Sequence, residues 1–207
     1  MKPEDLRESV SRETLTLLER YVAEIRKWNP AINLISPNSL DDIWHRHIAD
    51  SLQVSENIPV SVKIVADFGS GGGLPGLVTA IVAKERYPKI HSILVESDAR
   101  KSAFLSTVIS KLELNAAVKT SRIETLDCLG VDLITARALA PLSDLCHYTS
   151  LHLSNGGTAL FLKGRSYESE VDEARKHWQF DLTVIPSKTD SQAAILSLKN
   201  LESSTRQ

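Results

Sequence analysis

The chain has 207 residues, 42% of them hydrophobic and 24% charged, the balance of a soluble globular protein with room for one domain and at most a small extension. A formal charge of −2 and a sequence pI near 6.3 give no overall attraction for polyanions, so any nucleic acid must be held by a local basic surface. Cys128 and Cys146, the two cysteines, are too few for a disulfide scaffold and lack metal-ligand spacing. The start, "MKPEDLRESV", has no apolar signal core, and the longest apolar run, 77–83, stops at Lys84, far short of a membrane span. A cytoplasmic protein with no membrane contact is expected, with a monomer favoured.

In chain order, residues 10–28 place Leu15, Leu18, Val22, Ile25 and Trp28 at helical spacing, and Asn29-Pro30 is expected to end that helix. A second helix is expected through "SLDDIWHRHIADSLQV", with Ser39 as its cap and Asp41 and Asp42 at its positive end. "NIPVS" then reads as a joint. Residues 1–57 are thus expected to form a helical extension and residues 58–200 a second domain. There, strands are expected at 62–68, "HSILVE", "AAVKT", "VDLITAR", "GTALFLK", "FDLTVIP" and "AAILSLK". Helices fall between them: one opened by Pro75, one over 98–113 with Phe104, Leu105, Val108 and Leu112 on one side, one over 142–153 and a polar one near 168–177. This alternation predicts an α/β fold, a mostly parallel seven-stranded sheet wrapped on both faces. Its last two strands, joined without a helix, predict an antiparallel C-terminal edge. Residues 201–207 are expected to fray.

The informative stretch is "VADFGSGGGLPGLVTAIVA", residues 65–83, which follows the first strand of the sheet and opens its first helix. Ligands of open α/β sheets bind at the carboxyl ends of the strands. Gly69, Gly71 and Gly73 allow positive φ and bring bare backbone against a ligand. A simple strand-to-helix turn would need only one glycine. Gly71, Gly73 and Gly76 fit G-x-G-x-x-G, and Glu96 ends the next strand where a ribose-binding acid is expected, which permits NAD. No Gly-Lys-Ser/Thr follows, which excludes a phosphate loop. Asp67 completes D-x-G-x-G-x-G, and a carboxylate facing the ligand suits a cationic amine rather than a pyrophosphate. Only a short completion of the sheet remains after the cofactor half, too little for a dehydrogenase catalytic domain. Both features favour S-adenosyl-L-methionine, with NAD as the alternative.

"DFGSGGGLPG" resembles the cofactor loop of the bacterial small-subunit (16S) rRNA guanine-N7 methyltransferases, the RsmG or glucose-inhibited division protein B family. The resemblance covers nearly the whole chain: "YVAEIRKWNPAINLIS" and "IWHRHIADSL" precede the loop, and "ESDARKSAFLSTVISKLEL", "SRIE" and "TARALAPL" follow in the family's order. It implies a Rossmann-like methyltransferase that moves a methyl group from S-adenosylmethionine to N7 of a guanine in 16S rRNA, with the rRNA or the small subunit as partner. It further implies cofactor contacts from Gly69, Leu74, Ile123, Glu124 and Arg137. Two departures stand out: Gly72-Gly73 replaces the usual alanine-glycine, and Ala193 occupies a place where members often carry arginine.

The residues permit this chemistry. Attack through a pyrimidine C5 needs a cysteine nucleophile, yet Cys128 falls in a turn and Cys146 on a helix. The place of an Asn/Asp-Pro-Pro-aromatic amino-methylation loop reads "ARALAPL". Guanine N7 has a free lone pair and needs no general base, so alignment suffices. Arg137 ends the fourth strand and is the candidate catalytic residue, positioning substrate or cofactor with its planar fork. Arg26, Lys27, Arg46 and His47 mix basic groups with Trp28 and Trp44, a texture suited to RNA, although core packing explains a tryptophan equally well. Arg122, Lys163 and Arg165 are further candidate RNA contacts. His45 and His47 stand two apart and cannot share a metal from one helix face, so no metal is expected. Methylation of another RNA, a protein or a small molecule, and a non-catalytic nucleotide- or RNA-binding module, are the alternatives.

Overall fold

The computed structural model describes residues 1–204. Seven strands form one sheet in the order β3-β2-β1-β4-β5-β7-β6: β1 Ile64–Phe68, β2 His91–Glu96, β3 Ala116–Thr120, β4 Val131–Arg137, β5 Leu153–Lys163, β6 Trp178–Pro186 and β7 Ala194–Ser203. The first five pair in parallel; β7 runs antiparallel to both β5 and β6. The order reverses between β1 and β4, which places a crevice at the carboxyl ends of those strands. The helices are α1 Arg12–Ile32, α2 Asp50–Glu56, α3 Gly76–Arg86, α4 Ala99–Leu112, α5 Leu142–His152 and α6 Tyr167–Ala174.

β1 and β4 are buried along nearly their whole length, as strands with helices on both faces must be. On one face, α1 sets Leu18, Tyr21, Val22 and Ile25 against α3 and α4, in a core that also holds Leu77, Ile81, Phe104 and Val108. Trp44 is part of this core, and Trp28 meets the Phe104 ring edge-on at 5.8 Å. Both tryptophans therefore serve packing. On the other face Phe68, Ile134, Leu142, Leu145, Phe161 and Leu196 form a second core. The N-terminal helices thus share a core with the sheet's own helices.

Four local expectations change. α1 does not stop at Asn29-Pro30 but continues through Pro30 to Ile32, ending where Asn33 turns left-handed at φ 49°. Pro30 forgoes the bond its N–H would give the Arg26 carbonyl, but only two residues of helix follow it, so little further helix depends on that bond. Asn29 is buried, and its side-chain oxygen accepts the Ile35 amide at 2.9 Å, which folds the following segment back. The second helix does not start at Ser39, which sits in a short 3₁₀ turn, Pro37–Ser39; a π-helical turn over Trp44–Ala49 leads directly into α2. Pro75 stands just before α3, after a cis Leu74–Pro75 bond. The C-terminal strand runs to Ser203, held by pairing with Trp178, so residues 201–203 do not fray; residues 205–207 of the expected tail lie outside the described residues. No helix among the described residues is long and apolar enough to cross a membrane.

Phe104 is fully buried where α1, α3 and α4 meet. Phe104→Ala should cost about 3–5 kcal/mol of unfolding free energy, measured as a shift in the denaturant midpoint at unchanged slope.

Candidate active site

The loop after β1 has the expected conformation: Gly69, Gly71 and Gly73 take φ of 62°, 53° and 88°. Two of them are also spatially confined. A Cβ on Gly69 would come within 2.5 Å of Leu139, and one on Gly73 would run into the Leu77 side chain. Gly71 has no such neighbour within 3.4 Å, so there the backbone angle alone selects glycine.

Two groups hold this loop from opposite sides. Glu96, 8% exposed at the end of β2, accepts the Gly71 amide on Oε2 and the Asp98 amide on Oε1, both at 2.8 Å. Each oxygen retains a second lone pair for a ligand. From the other side the fully buried Tyr21 of α1 donates its hydroxyl to the Gly72 carbonyl at 2.5 Å. Burial drives the Tyr21 pKa well above its ordinary value, so the hydroxyl stays protonated as a donor. An added Cβ on Gly72 would lie 3.3 Å from the Leu34 carbonyl oxygen, so the N-terminal segment covers the loop closely.

Asp67 departs from its expected setting. It does not face an open crevice: it is 2% exposed, and Oδ1 accepts the hydroxyl of Thr135, its register partner on β4, at 2.7 Å. Its Oδ2 lies against the first turn of α3, where a Cβ on Gly76 would approach it to 2.5 Å. Burial pushes the Asp67 pKa up to about 6, against the opposing pull of the Thr135 and Ser70 hydroxyls and the nearby Gly76 amide. The strand is buried on both faces, so a side chain within it meets protein on either side.

Beyond β4 the chain turns sharply, with Ala138 at φ 51°. Arg137 Nη1 donates to the Arg46 carbonyl and to Asp50 Oδ2, both at 3.3 Å. The guanidinium borders an open cavity of about 1160 Å³ walled by Arg46, Asp50, residues 137–141, Lys163, Glu170 and the β6–β7 connection. Leu139, which packs on Gly69, separates this cavity from the glycine loop. Arg137 thus lines the cavity two residues before Leu139, the side chain that packs on Gly69.

The remaining candidates divide. Leu74 is buried within the loop; Ile123 opens a 3₁₀ turn, Ile123–Thr125, beyond β3 and is 7% exposed in the second core, with its carbonyl 3.0 Å from His152 Nε2. Glu124 and Arg122 are exposed beside Ile123. Lys163 is not a free RNA contact, contrary to its reading from sequence: it is 9% exposed, donating to Glu170 at 2.6 Å and to the Ala140 carbonyl at 2.7 Å. His47 is no cation either, because burial, Arg137 and Arg46 press its pKa down to about 4, and Nε2 pairs with Ser39 Oγ at 2.9 Å. Arg46 lines the cavity; Arg26, bonded to the Leu40 carbonyl at 3.1 Å, and Lys27 do not. Arg165 is exposed, and Ala193 lines the cavity. Burial raises the Cys146 thiol to about 12, which leaves it inert. Among the described residues no three His, Cys, Asp or Glu side chains gather as a metal site.

Sequence reasoning missed Tyr21, Asp50 and the Lys163–Glu170 pair. Tyr21 lies on the apolar stripe of α1, and a buried tyrosine must place its hydroxyl on an acceptor, so a signal for it exists in the sequence. Nothing in the sequence spacing joins Asp50 to Arg137, 87 residues away.

A solved structure from Aquifex aeolicus, described as a SAM-dependent methyltransferase, matches 87% of this chain and 97% of its own with a TM-score of 0.58 at 13% identity. The fold is thus the Rossmann-like one of that structure, with a glycine loop after its first strand. Residues 14–196 match the family described as rRNA small subunit methyltransferase G. A ribosomal RNA small subunit methyltransferase G of Cereibacter sphaeroides is 45% identical over 192 residues, covering 93% of either chain. One from Paracoccus denitrificans is 48% identical over 194 residues, covering 93% of this chain and 98% of its own. The chain belongs to the rRNA small subunit methyltransferase G family.

Glu96→Ala removes the acceptor of the Gly71 amide and any bond to ligand hydroxyls, each charged hydrogen bond being worth about 1.5–3 kcal/mol. Titration with S-adenosylmethionine should show affinity lower by roughly tenfold or more; an effect on RNA affinity alone would contradict this role.

Proposed function

We propose that this protein transfers the methyl group of S-adenosylmethionine to N7 of a guanine in 16S ribosomal RNA, acting in the cytoplasm on the small subunit or its RNA. The observation that carries the reading is the glycine loop with three positive φ angles after β1, beside Arg137, which ends the neighbouring strand β4 and lines an open cavity. Residues 1–57 act as a substrate-facing extension and residues 58–200 as the methyltransferase domain.

The cradle fits the cofactor. Gly69, Gly71, Gly73 and Leu74 present backbone, Glu96 keeps free lone pairs for ribose hydroxyls, and Ile123 and Glu124 border the adenine side. Asp67, with a pKa of about 6, is mostly ionised at neutral pH. It puts negative charge beneath the loop and favours a cationic amine over a phosphate at a distance rather than by contact. When bound, S-adenosylmethionine supplies an electrophilic methyl group on a sulfonium. Guanine N7 offers its own lone pair, so the chain has no proton to remove. Its work is alignment. Arg137 directs its fork toward the base, whose O6 is a suitable acceptor beside N7, and Asp190 in the cavity wall opposes the positive charge that the base acquires. Arg46, with Arg26, Lys27, Arg122 and Arg165 further out, meets the RNA backbone.

The direct test supplies small subunits from cells lacking the gene with labelled S-adenosylmethionine and maps the product by nuclease digestion and mass spectrometry. One N7-methylated guanine in 16S rRNA is expected; no incorporation, or methyl on another atom, contradicts the reading. Replacing Arg26, Lys27 and Arg46 together by alanine should leave cofactor affinity unchanged. It should weaken RNA binding and lower the slope of log affinity against log salt by roughly 0.7–0.9 for each phosphate the protein no longer neutralises.

A further inference from the structure

Three segments distant in sequence meet at one carboxylate. Asp50 opens α2; its Oδ2 accepts from Arg137 Nη1 at 3.3 Å, and its Oδ1 accepts from the Thr189 hydroxyl at 3.0 Å. Thr189 belongs to the β6–β7 connection, which Gln53, one turn further along α2, also grips: Gln53 Oε1 accepts the Lys188 amide at 2.7 Å, and Nε2 lies 3.4 Å from the hydroxyls of Ser187 and Thr189. Gln53 is 4% exposed, so this clamp is part of the interior. Asp50, Arg137, Ser187 and Thr189 all line the cavity.

We propose that Asp50 is a positioning residue for methyl transfer: by anchoring one nitrogen of Arg137 and one hydroxyl of the β6–β7 connection, it aims the arginine's remaining donors into the cavity. Nη1 is spoken for by Asp50 and the Arg46 carbonyl. Nε and Nη2 bond to no group among the described residues, so the fork keeps its planar edge for a substrate acceptor. An arginine side chain has many rotamers, and a single carboxylate holding one end removes most of them before the substrate arrives. The pair is loosely held: contact is through one nitrogen rather than two, at the long end of a hydrogen bond. At 17% and 19% exposure both groups keep some access to water, so removing the Asp50 carboxylate should register more in the rate of transfer than in folding.

The inference rests on the reading of this site as an rRNA methyltransferase, and the test separates the two. Wild type, Asp50→Ala, Asp50→Asn, Arg137→Ala and the double variant Asp50→Ala/Arg137→Ala are assayed by single-turnover methyl transfer to undermethylated small subunits at saturating cofactor and substrate. Melting temperature and S-adenosylmethionine affinity are measured in parallel. Asp50→Ala should slow transfer on the order of 10- to 100-fold, with cofactor affinity near wild type. Asp50→Asn, which keeps an acceptor oxygen, should recover part of the rate. In the Arg137→Ala background the same substitution should add almost nothing, because two residues acting through one interaction are not additive. A multiplicative fall in rate for the double variant, or a fall matched by a lower melting temperature, would make Asp50 a structural residue and overturn the inference. So would wild-type transfer by Asp50→Ala. If the wild-type protein itself transfers no methyl group, the functional reading fails and this inference fails with it.

Discussion

The site depends on how a five-residue stretch of backbone, Gly69 to Gly73, is kept in a conformation that side chains resist. Within the loop the Gly73 amide bonds the Ser70 carbonyl, but the Gly71 amide and the Gly72 carbonyl find their partners outside it. Glu96 takes the Gly71 amide from the β2 side, and Tyr21 gives its hydroxyl to the Gly72 carbonyl from the α1 side. Leu139 and Leu77 close the space that Cβ atoms would fill. The glycine loop is thus held by the sheet, by the loop after β4 and by the N-terminal helix together.

That arrangement changes what the N-terminal segment is for. Its residues are not packed apart from the sheet; they share a core with α3 and α4 and deliver Tyr21, Leu34, Arg46 and Asp50 to the loop and the cavity. Arg137 meets the Arg46 carbonyl and the Asp50 carboxylate, and Asp50 and Gln53 reach on to the β6–β7 connection. Leu139 both lines the cavity and packs on Gly69, so the cavity and the glycine loop share a wall. Changes in the N-terminal helices should therefore reach cofactor binding when they touch Tyr21, and spare it when they touch only surface cations.

Much of the sheet is legible in the sequence because β-branched and apolar runs alternate with helical periodicity: "HSILVE", "AAVKT" and "VDLITAR" are strands to the residue. The glycine spacing and the acid at the end of β2 mark the loop and its Glu96 anchor for the same reason, a local pattern with a local cause. What escapes such reading is set by tertiary packing. α1 runs through Pro30 because Asn29 and Asn33 arrange the exit beyond it, and no rule about the residue before proline contains that. Lys163 and His47 read as free basic groups, yet one is tied to Glu170 and the other is neutral and half-buried. Asp67 reads as a ligand-facing acid, and its distance from the crevice follows from a strand covered on both faces. Ion pairs between residues far apart in sequence leave no spacing to count.

The hydroxyl of Tyr21 is the narrowest link between the two parts of the site, and removing it changes one atom. The decisive measurement is the S-adenosylmethionine affinity of Tyr21→Phe, by titration calorimetry on a variant whose circular dichroism matches wild type. If the N-terminal helix shapes the cofactor loop, affinity falls by on the order of tenfold, the scale of one buried hydrogen bond. An affinity equal to wild type would show that the loop holds its form without α1, and that the cradle belongs to the sheet alone.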